Sequence, residues 1–278
     1  MKNFIIRSIS AAVVLSIFYL SYYFYSLYGL SICLFIFSLQ LNKEVHRLLF
    51  DINTVSKMFY YTSFILISVG LFLASVTPIY MVLPFFTGLV SLHILLSFLE
   101  SKNKNSIEHT LQMIFKSLFL ISYFLIGAVS CIRLINSPMG LSLFIIMLIT
   151  VGSIDLFAYL GGNFFKGPKL LPYISPNKSI SGALTGLLMG AVISFTGLQY
   201  YFPEISPLIS IPFCLLIGVM AQVGDLIESA LKRSSNKKDS GAFLPGHGGL
   251  LDRADSLLLT APLFFTLSWT LVYVMVKN

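Results

Sequence analysis

Pro138-Met-Gly-Leu-Ser-Leu-Phe-Ile-Ile-Met-Leu-Ile-Thr-Val-Gly-Ser-Ile-Asp155-Leu-Phe-Ala-Tyr-Leu-Gly-Gly162 decides the fold of this chain. The stretch carries a single charged side chain, Asp155. A run of roughly 20 apolar residues is the length of helix that crosses a bilayer's hydrocarbon. It lacks the alternation of a barrel strand, and only helices and closed barrels satisfy their backbones in lipid. Similar runs recur near 8–26, 27–41, 58–76, 79–99, 117–135, 180–199, 207–231 and 254–276. The pattern predicts an all-α, polytopic membrane protein with about nine transmembrane helices. The second run is short for a straight helix and has room to continue toward Leu49.

Composition agrees. Of 278 residues, 56% are hydrophobic and only 10% charged, far below the ~25% charged of soluble domains. The net charge of +7 is not a nucleic-acid signal, because its distribution follows the spans. Lys2 and Arg7 precede span one. Lys43, Arg47 and Lys57 follow span two, and Lys102, Lys104 and Lys116 follow span four. Lys166, Lys169 and Lys178 follow span six. Lys232, Arg233, Lys237, Lys238 and Arg253 follow span eight. Sixteen of the eighteen Lys and Arg therefore fall on one side, with only Arg133 and Lys277 on the other. The positive-inside rule puts the N-terminus and the two long basic loops in the cytoplasm and the C-terminus outside; the expected location is the inner (cytoplasmic) membrane. Residues 8–26 lead into further spans rather than a small-residue cleavage site, so no cleavable signal is expected. Cys33, Cys131 and Cys214 sit singly in apolar runs and read as small core residues.

The chain divides near residue 136. Residues 1–136 form an N-terminal transmembrane region whose charges read as topology determinants; Glu44, His46, Glu100 and Glu108 are expected at ordinary interface or loop positions, and His93 as a hydrogen-bonded packing residue. Residues 137–278 form a C-terminal transmembrane region with two cytoplasmic loops, expected to be the catalytic one because it holds every motif taken up below. No internal repeat of the kind found in many transporters is visible.

Chemistry concentrates between Lys232 and Asp255. Cations and glycine amides hold phosphate, and paired aspartates hold Mg²⁺, the usual companion of a nucleoside triphosphate. Asp225 lies near the end of span eight, with Glu228 and Ser229 on the same helical face. Asp252 and Asp255, spaced i,i+3, share a face of the first turn of span nine, beside Arg253. The glycines around His247 (Gly246, Gly248 and Gly249) let backbone amides approach an anion before that helix begins. Lys232 and Arg233 adjoin the span and are assigned to the site, whereas Lys237 reads as a solvated surface charge. In the loop after span six, Lys166, Lys169 and Lys178 reach phosphates, and Ser175 and Ser179 donate hydrogen bonds. Asp155 is an acid at membrane depth, a default functional candidate. Plainer alternatives stay open: Asp225 pairing with Lys232 or Arg233, simple capping by Asp252 and Asp255, a tight turn at the glycines, and a structural hydrogen bond for Asp155.

These residues resemble the phosphatidate cytidylyltransferases, or CDP-diacylglycerol synthases. The match runs through Ser229-Ala-Leu-Lys232-Arg233, Lys238-Asp239-Ser-Gly241, Pro245-Gly-His247-Gly248-Gly249 and Asp252-Arg253-Ala-Asp255. Gly224-Asp225-Leu and the stretch from Asp155 to Lys178 fit as well. The motifs cover the C-terminal half. Two departures stand out: Ala254 replaces a larger apolar residue, and Ile180-Ser181 stands where the family commonly has an aromatic-acid pair. The resemblance implies transfer of a cytidylyl group from CTP to phosphatidate, with release of pyrophosphate. It implies Mg²⁺ held by Asp225, Asp252 and Asp255, with room for a second cation. Lys232, Arg233, Arg253, Gly248 and Gly249 would contact the triphosphate; Lys166, Lys169, Ser175 and Lys178 would hold the lipid headgroup or nucleotide. Asp155, Ser229, Lys238, Asp239 and His247 complete the expected substrate site. The bilayer is the partner surface, a homodimer is compatible with the sequence, and nucleic acid is not expected. A CTP-dependent enzyme acting on another lipid or isoprenoid is one alternative. A transporter gated by the basic loops is another, but it would call for charges along several spans and repeat symmetry.

Overall fold

The computed structural model describes residues 2–52, 54–102, 106–243, 245–246 and 248–277, with the backbone alone at 2–8, 11 and 273–277. Eight helices among the described residues are long and apolar enough to cross a membrane. The first, α1 (Lys2–Leu49), is interrupted at Ser26, whose φ of 54° and ψ of −140° are not helical. Ser21 Oγ lies 2.9 Å from Cys33 Sγ, and the rings of Phe18 and Phe37 are 5.2 Å apart. Twelve residues of continuous helix would separate Ser21 from Cys33 by about 18 Å, so α1 folds back on itself at Ser26. The break falls where the first two apolar runs were expected to meet, and the second limb does run on to Leu49. About nine spans were expected; eight elements are found, the first of them a hairpin.

Contacts divide the chain into two compact units, residues 1–132 with 234–252, and residues 133–233 with 253–278. In the first, α2 (Lys57–Val76), α3 (Ile79–Ser101) and α4 (Ile107–Phe119) follow α1, and a π-helical turn (Leu120–Leu125) carries the chain into α5 (Ile126–Ile135). Ser56 and Ser106 cap α2 and α4, accepting from the amides of Phe59 and His109. The cap at Ser106 explains why this helix starts ten residues before its apolar run: residues 107–116 form an amphipathic lead-in.

Polar side chains tie these helices together. His46 is fully buried, with its ring 2.8 Å from Asn42 Oδ1 and 3.0 Å from Ser63 Oγ. His93, also fully buried, shares Ser63 at 3.3 Å. His93 is thus the packing residue expected. His46 is not the interface position expected, because α1, α2 and α3 pack closely enough to enclose it.

The second unit contains α6 (Gly140–Phe165), the strands β1 (Lys169–Leu171) and β2 (Ser175–Ser179), α7 (Ile180–Tyr201), α8 (Pro207–Ser234) and most of α9 (Leu251–Lys277). The antiparallel β1–β2 hairpin is a small addition to an otherwise helical fold. Ser179 ends β2 and caps α7, accepting from the Gly182 amide at 3.2 Å. Gly182, Gly186 and Gly190 form a buried stripe on α7. A Cβ on Gly182 would lie 2.5 Å from the Ala158 carbonyl oxygen, and one on Gly186 would lie 2.8 Å from that of Ile154. Small residues every fourth position are how membrane helices bring their backbones together, and here they seat α7 on α6. Gln222 reaches from α8 to the Ala183 carbonyl at 2.8 Å. Val151, Ile154 and Ala221, with Leu257 against them, form a core joining α6, α8 and α9.

Candidate active site

Asp225 and Glu228 lie three residues apart on α8 and so project from one face. Gly224 lets α9 come against that face: a Cβ there would lie 2.5 Å from the Asp255 carbonyl oxygen and 2.9 Å from Ser256 Cα. The result is a group of three carboxylates. One oxygen from each of Asp225, Glu228 and Asp255 lies within 4.8 Å of the others, and Glu228 and Asp255 are buried. Crowding like charges out of water is costly unless cations compensate. Two lysines supply part of that charge: Lys178, delivered by β2, pairs with Asp225, and Lys232 pairs with Glu228 at 2.7 Å.

Asp225 and Lys178 face a cavity of about 550 Å³ that Asp155 and Lys169 also line. Asp155, from α6, is close enough to Asp225, Lys178 and Arg253 to feel their charges. Asn163, Asn177 and Gln222 add neutral polar groups to the wall. Arg233 Nε donates to the Ile174 carbonyl at 3.4 Å, tying the end of α8 to the β1–β2 turn. The Lys166 carbonyl accepts from Ser181 Oγ. Ser181, which stands where the resemblance leads one to expect an acid, therefore braces the turn before β1. Ser175 and Ser229 are half-buried, and Arg253 is exposed on the first turn of α9.

The first unit holds the other expected residues. Asp252 was expected to ligate metal beside Asp225 and Asp255. Its carboxylate accepts from the Ser240 amide (3.2 Å), the Ser240 hydroxyl (3.1 Å) and the Gly249 amide (2.7 Å), bracing the turn before α9. Within the second unit, the third carboxylate gathered with Asp225 and Asp255 is Glu228, on the Asp225 face of α8. Gly248 has φ of +84°, and a Cβ on it would lie 2.7 Å from Asp252 Oδ2, so only glycine fits this turn comfortably. Lys238 and Asp239 are exposed. His247 lies outside the described residues.

Glu44 is the largest surprise. It is 1% exposed, not an ordinary interface residue. Its carboxylate accepts from Gln40 Nε2 (3.1 Å), Ser240 Oγ (2.9 Å), the Leu250 amide (3.0 Å) and the Leu251 amide (2.8 Å). The last two are donors that a helix start leaves unsatisfied, so Glu44 anchors the beginning of α9 and the glycine turn before it. No local signal marked it, because Glu44 stands among Lys43, His46 and Arg47 just past the second apolar run. Glu228 was marked in the sequence by its i,i+3 spacing from Asp225, without being assigned as a ligand.

Residues 5–271 match the model of the cytidylyltransferase family. The chain belongs to that family. Among curated relatives, phosphatidate cytidylyltransferase of Rickettsia felis is 46% identical over 126 residues, covering 42% of this chain and 55% of that protein. The protein of the same name from Rickettsia prowazekii is 39% identical over 166 residues, covering 53% and 71%. The one from Rickettsia bellii is 41% identical over 160 residues, covering 52% and 68%. The chain thus spans about half the length of the first relative and about two thirds of the others.

Proposed function

We propose that this protein transfers the cytidylyl group of CTP to phosphatidate, forming CDP-diacylglycerol and pyrophosphate. The observation that carries the reading is the convergence of Asp225, Glu228 and Asp255, with Lys178 paired to Asp225 at a cavity that Asp155 also lines, in an otherwise apolar unit. The phosphatidate phosphate is a monoester whose second pKa lies near 6. Near neutral pH it is mostly a dianion and needs no strong general base. One of its oxygens attacks the α-phosphorus of CTP. The new P–O bond forms as the bond from that phosphorus to the α,β-bridging oxygen breaks, and pyrophosphate leaves with the electron pair. What such a reaction requires is alignment and neutralisation of crowded negative charge.

The residues fit those tasks. Asp225, Glu228 and Asp255 are hard oxygen donors of the kind Mg²⁺ takes, converging closely enough to hold one. Bound there, Mg²⁺ would supply charge neutralisation at the phosphates. Lys178 and Lys169 face the cavity where the lipid phosphate would lie; Lys232 and Arg253 would contact triphosphate oxygens. Arg233 holds the β1–β2 hairpin, and with it Lys178, in place. Within the first unit, Asp252 and Glu44 shape the turn whose Gly248 and Gly249 amides are suited to phosphate. The one-sided distribution of Lys and Arg supports a cytoplasmic N-terminus and cytoplasmic loops, on the side where CTP is found. The bacterial relatives favour the inner membrane.

Purified protein supplied with CTP, phosphatidate and a series of divalent ions should release pyrophosphate and form CDP-diacylglycerol only when both substrates and a hard divalent cation are present. Turnover with other lipid phosphates but none with phosphatidate would refute the assignment.

A further inference from the structure

A second cavity, of about 640 Å³, opens in the first unit where α1 ends and α2 begins. None of its lining residues belongs to the Asp225 cavity of the second unit. Lys43 and Arg47, four residues apart on the last turns of α1, present both heads on one face, and both are exposed. Lys237 arrives from the 234–252 segment and donates to the Arg47 carbonyl at 2.9 Å. By sequence it was a solvated surface charge; here it completes a three-cation wall. Asp51 is the acid on the rim, so positive charge is in excess by two. The other wall is aromatic, made by Phe50, Phe64 and Tyr60.

We propose that this cavity binds the headgroup phosphate of an anionic phospholipid from the surrounding bilayer. Arg and Lys hold phosphate oxygens through charge-assisted hydrogen bonds. A soluble phosphate would need only the cations. The aromatic wall at the end of two apolar helices suits a ligand that is ionic at one end and greasy at the other, and aromatic rings of this kind sit at the headgroup level. Lys237 also links the cavity to a second property. It belongs to the same segment as Ser240, Gly248 and Gly249, the turn assigned to the nucleotide. A bound headgroup holds Lys237, and through it that turn, so anionic lipid lowers the KM for CTP. This consequence rests on the proposed function; the binding does not.

Native mass spectrometry of the detergent-solubilised full chain tests the binding, with dioleoylphosphatidylglycerol and dioleoylphosphatidylcholine as probes. The wild type should retain phosphatidylglycerol preferentially. The triple variant Lys43→Gln, Arg47→Gln, Lys237→Gln should lose about 100-fold in that affinity, since each Lys or Arg at a membrane surface contributes roughly fivefold. If the triple variant does not fold, Lys43→Gln alone, at an exposed position, should lose about fivefold. Equal retention by wild type and variant, equal retention of the two lipids, or displacement of phosphatidylglycerol by millimolar pyrophosphate would overturn the site. In liposomes holding a small, fixed fraction of phosphatidate, a rising phosphatidylglycerol fraction should lower the KM for CTP in the wild type but not in the variant, with kcat in the absence of phosphatidylglycerol the same for both. Loss of binding with an unchanged KM response would overturn the link to the turn. Absence of turnover in both proteins would count against the proposed function and leave the binding result standing.

Discussion

Asp225→Asn is expected to lower CDP-diacylglycerol formation about 10³-fold at fixed Mg²⁺, the loss seen when a preorganised group facing developing charge is removed. Asn has nearly the shape of Asp and leaves α8 intact, so the effect is electrostatic. Asp225 sits at the meeting of two sets of contacts: its oxygen lies within 4.8 Å of ligand atoms of Glu228 and Asp255, and it pairs with Lys178. Substitution removes one of three anions and frees Lys178 from its counter-ion. Steady-state kinetics should therefore show a fall in kcat together with a raised Mg²⁺ requirement, partly relieved by excess Mg²⁺. A variant within threefold of wild type at limiting Mg²⁺ would remove Asp225 from the site.

Glu44→Ala should unfold the start of α9 and the glycine turn, even though Glu44 lies in the half of the chain that lacks the recognisable motifs. Four donors converge on its buried carboxylate, among them the amides of Leu250 and Leu251, which are 6% and 0% exposed. Alanine leaves them without that partner. Each buried donor left unsatisfied costs about 1–3 kcal/mol, so the variant should be destabilised on the order of 3 kcal/mol or more. Thermal unfolding in detergent should show a clear drop in midpoint, and limited proteolysis should cut first within residues 234–250. Glu44→Gln keeps the shape and one acceptor oxygen and should fall between the two. An alanine variant with wild-type melting and proteolysis would mean the network contributes nothing to the fold.

The two predictions draw on parts of the structure that differed in how readable they were. The spans were legible because lipid forbids unsatisfied backbone, so length and polarity alone mark each crossing. Asp225, Asp255 and Lys178 were legible because ionisable groups in such a chain are scarce. The hairpin at Ser26 was visible only as a boundary between two runs. A serine in a left-handed conformation has no sequence signature comparable to glycine's. The β1–β2 hairpin was read as a loop, since three- and five-residue strands with Pro and Lys carry little period-two pattern. The glycine stripe of α7 was present every fourth residue, but only its contact with α6 gives it meaning. Glu44 was unreadable for a different reason: its partner Ser240 is 196 residues away, and no local pattern reports so distant a contact. The grouping of Glu228 with Asp225 and Asp255 was hidden by the same limit. The i,i+3 spacing places Asp252 and Asp255 on one helical face, yet the amides of Ser240 and Gly249 occupy the first carboxylate.

Electron paramagnetic resonance of Mn²⁺ added to the purified protein, without nucleotide, is the most direct measurement of whether Asp225, Glu228 and Asp255 form a cation site. The account predicts at least one tightly held Mn²⁺ per chain, lost in both Asp225→Asn and Asp255→Asn while the helical content of each variant is unchanged. Wild-type Mn²⁺ occupancy in both variants would contradict it.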